Sequence, residues 1–185
     1  LLLMMLAGYV FVFFTFSGSA TPSYAAQEPP GSSFGSGAWE LIIFTDYFCR
    51  PCQDLEKDLE PELARLLTRG DIVITFVDFP GNRGTGLYAK FFLASVASGK
   101  GWQNALHARN LLFSQAREKK IDQDKILSAF LKSHKIALNV IDPKPVFDQW
   151  SILIKRHDIN QTPTCVLRYS GAYTKKFTDS EHIRK

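Results

Sequence analysis

The chain has 185 residues and carries 22 Lys and Arg against 18 Asp and Glu, a net charge of +4. At 45% hydrophobic and 22% charged it is not a disordered chain, and three cysteines do not make a disulfide-rich miniprotein. The length suits one domain with a short appendage. No basic stripe is interleaved with aromatics, so no nucleic-acid partner is expected.

Residues 1–26 contain no charged side chain, and from Leu1 to Phe16 only Gly8 and Thr15 interrupt an apolar run. A small and polar stretch follows, Ser17 to Ala26, with Ser23 and Ala25 at −3 and −1 of a cleavage site after Ala25. The pattern predicts a secretory signal peptide over 1–26 whose charged n-region is missing. The alternative is a retained membrane anchor, for which the run is slightly short. Either places the remainder in the periplasm or otherwise outside the cytoplasm. Residues 27–38 have linker composition, and the folded domain is expected over 39–185.

Leu41 to Thr45 is a short β-branched, apolar run that predicts a buried strand. After Asp46-Tyr47-Phe48-Cys49-Arg50-Pro51-Cys52, leucines at 55, 59, 63, 66 and 67 keep helical spacing. Pro61 is expected to kink that helix or to start a second segment, and Gly70 to cap it. Ile72 to Phe79 predicts a second strand, ended by Pro80. Gly81, Gly84 and Gly86 lack the pattern of a phosphate loop and predict a flexible connection. Helices are expected over Leu87–Ser98, Trp102–Gln115, Asp124–Lys132 and Val146–Ile154, the last entered through Pro143 and Pro145. Thr164–Tyr169 and Ala172–Phe177 predict a hairpin around Ser170-Gly171, and a short helix starts at Asp179. The order is a strand–helix–strand unit, a helical block over about 84–155, then a hairpin. A parallel pair plus antiparallel strands makes an α/β architecture with a mixed central sheet.

Cys49-Arg50-Pro51-Cys52 is the strongest chemical signal. Two thiols three apart, at the start of a helix that follows a buried strand, can form and break one small-ring disulfide. The helix N-terminus favours the Cys49 thiolate, and Arg50 is expected to push the same way. Cys52, one turn in, is the resolving thiol, and Pro51 withholds a backbone N–H from Cys49. Zinc needs four ligands, whereas the chain offers this pair, a distant Cys165 and the scattered His107, His134, His157 and His182. A purely structural bridge would close too small a loop to restrict the unfolded chain much. Gln161-Thr162-Pro163-Thr164, just before a strand, is the second signal.

These two motifs together resemble the thioredoxin fold, in which a cis-proline loop lies against the CxxC. By that resemblance Thr162 and Pro163 form the edge that binds an extended substrate chain. Phe44-Thr45-Asp46-Tyr47-Phe48-Cys49, Phe76-Val77-Asp78-Phe79-Pro80, Gly101-Trp102 and Ile159 to Thr164 are similar to the DsbA-like family, over roughly residues 39–185. The resemblance implies a thioredoxin-like fold with a helical insertion. It also implies an exported thiol–disulfide oxidoreductase with catalytic Cys49 and Cys52. Its partners would be substrate polypeptides with thiols or disulfides and a membrane redox partner that resets the CxxC. Two features depart from the family. Arg50-Pro51 replaces the Pro-His of strong oxidants, and the family's buried acid, six residues before the first Cys, falls on Ile43. Proton transfer at Cys52 then needs another group or a water, with Asp46 and Glu40 the nearby acids.

The compartment and the helix terminus favour an oxidase or isomerase. The alternatives are a periplasmic reductant, for example in cytochrome maturation, and a non-enzymatic docking module. Cys165 reads as a core thiol, with a third redox partner as the other reading. No metal, nucleotide or flavin site is visible, so no cofactor is expected. The oligomeric state is left open. Trp102, Phe91, Phe92, Phe113, Phe130 and Trp150 are expected to pack the helical block.

Overall fold

The structure, a computed structural model, describes residues 31–118, 121–170 and 173–184. The signal-peptide or anchor expectation for 1–26 lies outside the described residues. Within them no helix is long and apolar enough to cross a membrane.

The strands are β1 (Ser33–Gly35), β2 (Trp39–Thr45), β3 (Ile72–Asp78), β4 (Thr164–Tyr169) and β5 (Tyr173–Phe177). They form one sheet in the order β1-β3-β2-β4-β5. β2 and β3 are parallel, pairing Ile43 with Phe76 and Thr45 with Asp78. The other neighbours are antiparallel, so the sheet is mixed as expected. The helices are α1 (Arg50–Arg69), α2 (Thr85–Val96), α3 (Gly101–Glu118), α4 (Asp124–Ser133), α5 (Lys144–Arg156) and α6 (Ser180–Arg184). α2 to α5 lie between β3 and β4. α1 packs on β3, α3 and α6, and α2 on α3 and β3.

The core is built on β2 and β3, whose Ile42, Ile43, Phe44, Ile74, Phe76 and Val77 are fully buried. α1 contributes the stripe Cys52, Leu55, Leu59, Leu63 and Leu67. Gly70 caps it in the left-handed region at φ 75°, its N–H reaching the Leu66 carbonyl. Of the aromatic residues expected to pack the helical block, Phe91, Phe92, Phe113 and Trp150 are buried, and Trp102 and Phe130 pack partly buried against the core.

Three expectations are corrected. Pro61 neither breaks nor splits α1, which runs continuously through it. Pro61 and Lys57, whose carbonyl loses its partner, are both exposed, so the missing bond faces solvent. Residues 33–35, placed in a linker, form β1 on the outer edge of β3. The buried Ser32 anchors it: its hydroxyl donates to the Phe76 carbonyl (2.6 Å) and accepts from Trp150 Nε1 (3.0 Å). The glycine loop after β3 is packed rather than loose. A Cβ on Gly84 would come within 2.5 Å of the Phe48 ring, and one on Gly81 within 2.9 Å of Asp46 Oδ2.

Candidate active site

β2 ends at Thr45, and the chain turns through Asp46-Tyr47-Phe48 into α1. Asp46 fixes this turn. Its Oδ1 accepts from the Phe48 N–H and the Thr85 hydroxyl, both at 2.9 Å, and its Oδ2 from Asn82 Nδ2 at 2.8 Å. The Cys49 N–H donates to the Asp46 carbonyl at 3.1 Å. Cys49 thereby becomes the N-cap of α1, with extended backbone, and proline follows in the first turn.

The loop from α5 to β4 lies against this turn. The Thr162–Pro163 peptide bond is cis, and Cys49 Sγ lies 3.3 Å from the Thr162 carbonyl oxygen. Cys49, Cys52, Thr162 and Pro163 are thus brought together. The three cysteines are free thiols, Cys49 half-buried, Cys52 and Cys165 buried.

The two sulfurs are strongly differentiated. The Cys49 pKa is lowered to about 6, foremost by a hydrogen bond from the Cys52 thiol. Burial opposes this, and the Thr162 side chain and the Cys52 backbone N–H add to it. Thr162 acts both ways: its carbonyl suits the thiol as a donor, whereas its side chain favours the thiolate. The Cys52 thiol is pushed far up, first by burial and then by its bond to Cys49. Cys165 pairs with Ile43 across β2 and β4, and burial pushes its pKa up to about 12, so it sits in the core as an inert thiol.

Arg50 does not take the position expected of it. Its Nε lies 3.4 Å from Asp54 Oδ2, one turn along α1, and Arg117 from α3 holds the other oxygen of Asp54 at 2.7 Å. The guanidinium is drawn along the helix instead of toward the sulfur. Neither nearby acid is free to serve Cys52. Asp46 is consumed by its three hydrogen bonds, and Glu40 accepts from Arg168 at 2.8 Å.

A charged cluster that the sequence reading missed lies inside the core. Arg109 on α3 is fully buried. Its Nε is 2.9 Å from Glu56 Oε1 and its Nη1 3.2 Å from Asp78 Oδ1. Its Nη2 donates to the Thr45 hydroxyl. The Tyr47 hydroxyl donates to the other Asp78 oxygen at 3.0 Å. The rings of Phe76, Phe113 and Phe92 surround the guanidinium carbon at 4.5, 5.0 and 5.5 Å. Burial, above all, raises the pKa of Glu56 and of Asp78. A signal was present in the sequence: Glu56 falls between Leu55 and Leu59 on the apolar stripe of α1, and Arg109 on that of α3 with Ala105, Leu112 and Phe113. Asp78 also borders a largely apolar cavity of about 230 Å³ lined by Pro80, Ala89, Phe147, Trp150 and Ile154.

Neither a scan against protein-family models nor a search of curated proteins finds a match. Among solved structures the chain is similar to DsbA2 of Pseudomonas aeruginosa, at 15% identity and a TM-score of 0.58 over 83% of this chain and 88% of that one. It is also similar to oxidised BdbD of Bacillus subtilis (19%, 0.58, 82% and 88%). A third is alpha-DsbA1 of Wolbachia pipientis (14%, 0.61, 82% and 86%). At these identities the likeness is one of fold: a thioredoxin-like fold with a helical insertion, as the CxxC and Thr-Pro motifs led one to expect.

Proposed function

We propose that this protein is an extracytoplasmic thiol–disulfide oxidoreductase that exchanges disulfides with substrate proteins through Cys49 and Cys52. The observation that carries this reading is the asymmetry of the pair. A half-exposed thiol with a pKa of about 6 is a thiolate at neutral pH and a good leaving group. It stands one turn from a buried thiol that stays protonated. A substrate thiolate attacks Cys49 Sγ of the disulfide form, Cys52 leaves, and the second substrate thiol displaces Cys49 as thiolate. The reverse sequence reduces a substrate disulfide. An extended substrate segment would lie along Thr162-Pro163, beside the attacked sulfur. A membrane redox partner would restore the starting state. The DsbA-type fold of the similar structures supports the same class.

The lowered Cys49 pKa favours an oxidase or isomerase, since stabilising the reduced form makes the disulfide more oxidising. Pro51, which offers no N–H to that thiolate, favours a reductant, and the potential decides between them. The test is refolding of a reduced, unfolded substrate alongside reduction of insulin. Wild type should act in at least one, Cys49→Ala in neither, and Cys52→Ala should accumulate mixed disulfides. A wild type inert in both assays leaves a docking module as the answer.

A further inference from the structure

Cys52 is fully buried. When an incoming thiolate breaks the Cys49–Cys52 bond, Cys52 departs as an anion inside the core, where burial strongly disfavours the charged form. It must gain a proton there, and in the reverse direction lose one there.

Glu56 follows Cys52 by four residues on α1, and both belong to its buried stripe. Side chains at i and i+4 lie on one face with their Cβ atoms about 5–6 Å apart. Glu56 Oε1 faces Arg109, but Oε2 is buried and makes no hydrogen bond. Buried polar atoms without a partner are rare in folded proteins and ask for an explanation. Asp78 differs: Arg109 and Tyr47 engage both its oxygens. One guanidinium therefore faces two carboxyls. In a dry core one cation holds one carboxylate ionised and leaves the other to carry a proton. Asp78 has the bonds of the ionised partner, and Glu56 has the spare oxygen.

Resting on the redox reading above, we propose that Glu56 is the proton donor and acceptor for Cys52. In the oxidising direction, substrate thiolate, the Cys49–Cys52 disulfide and the Glu56 carboxylic acid give a substrate–Cys49 mixed disulfide, a Cys52 thiol and a Glu56 carboxylate. The S–S electron pair goes to Cys52 Sγ, the acid's proton follows it, and the carboxylate later regains a proton from solvent. Reversal returns the thiol proton to Glu56 as Cys52 attacks Cys49 Sγ. The charged and titratable groups around Glu56 are Arg109 from α3, Asp78 from β3, Tyr47 after β2, Glu60 on α1 and Cys165 on β4. Burial and the two acids raise the Glu56 pKa while Arg109 lowers it, and the net upward shift supports a carboxyl that exchanges its proton.

The reduced full chain is mixed with 5,5′-dithiobis(2-nitrobenzoate) in a stopped-flow instrument. The first nitrothiobenzoate released reports attack by Cys49, and the second reports attack by Cys52 on the mixed disulfide. In Glu56→Gln the ratio of the second rate to the first should fall on the order of 100-fold at pH 7. The second rate should then rise about tenfold per pH unit, with hydroxide as the base. Glu56→Asp should recover part of the loss. An unchanged ratio in Glu56→Gln overturns the proposal, as does a fall confined to Asp78→Asn. If the glutamine variant does not fold, Glu56→Asp decides: its second phase should change pH midpoint, and an unmoved midpoint overturns the assignment. A wild type that releases no first equivalent is a different failure, because it removes the redox reading itself and this proposal with it.

Discussion

Titrating the Cys49–Cys52 couple with pH puts the asymmetry of its thiols on a numerical footing. With a Cys49 pKa of about 6, roughly 90% of that sulfur is thiolate at pH 7. Relative to a thiol with the ordinary value of 9.0, this stabilises the reduced form by about 1.4 kcal/mol at pH 7. That is an upper figure, because solvent screens the exposed side of Cys49. For a two-electron couple 1.4 kcal/mol is about 30 mV, so a thioredoxin-like poise of about −270 mV moves to about −240 mV. The pH slope is the sharper test. Below pH 6 reduction takes up two protons, and the potential should fall about 59 mV per pH unit. Above it Cys49 stays ionised while Cys52 takes one proton, and the slope should halve to about 30 mV. Equilibration in thiol redox buffers between pH 4.5 and 8.5, read by alkylation of free thiols, gives the curve. A single slope of about 59 mV from pH 5 to 8 would refute the asymmetry, since Cys49 would then be protonated throughout.

Arg109→Met should cost about 3–5 kcal/mol in urea unfolding, because the buried Asp78 carboxylate loses its cation, and the loss should shrink at acidic pH as Asp78 protonates. Asp46→Ala should cost about 1–3 kcal/mol for each buried donor left unpaired. Removing an anion that raises the Cys49 pKa should also move that titration downward, visible in thiolate absorbance near 240 nm. Arg50→Ala should leave the Cys49 midpoint where it is, since the guanidinium is committed to Asp54; a rise would restore the tuning role expected from sequence. His157 has its pKa lowered to about 4, chiefly by burial. The unfolded chain therefore binds the extra proton first, and stability should fall as pH drops from about 6.5 to 4. His157→Gln should flatten that loss in urea titrations.

The sheet was legible wherever a segment carried its own periodicity. β2, β3 and β4 announce themselves by continuous β-branched and aromatic runs, and α1 by its leucines. β1 has no such mark. Ser33-Phe34-Gly35 is too short for alternation, and its pairing is dictated by Ser32 contacts to residues 44 and 118 positions away. The CxxC and the Thr-Pro were readable because their chemistry depends on residue type and spacing. The direction of the Arg50 side chain was not, because Asp54 and Arg117 compete for it from one turn away and from another helix. The Glu56–Arg109–Asp78 cluster was hidden for a related reason. Charged residues on amphipathic helices are ordinarily solvated, and only the meeting of three elements turns these into a core group.

β1 also bears on how the molecule avoids sticking to its neighbours. β3 is apolar and buried along almost its whole length, and among the described residues its outer edge is covered by β1 and the preceding Ser32. The opposite margin, β5, is guarded differently, by the exposed Lys175 and Lys176, charges that discourage another chain from adding on. β3 has no such protection of its own. A proteolytic cut after Gly35 would bare a hydrophobic strand with unpaired backbone groups, a template for runaway sheet growth between molecules. The same cut would release the Ser32 hydroxyl from Trp150 and loosen α5, so a short and unremarkable stretch of chain keeps the folded molecule from seeding aggregates.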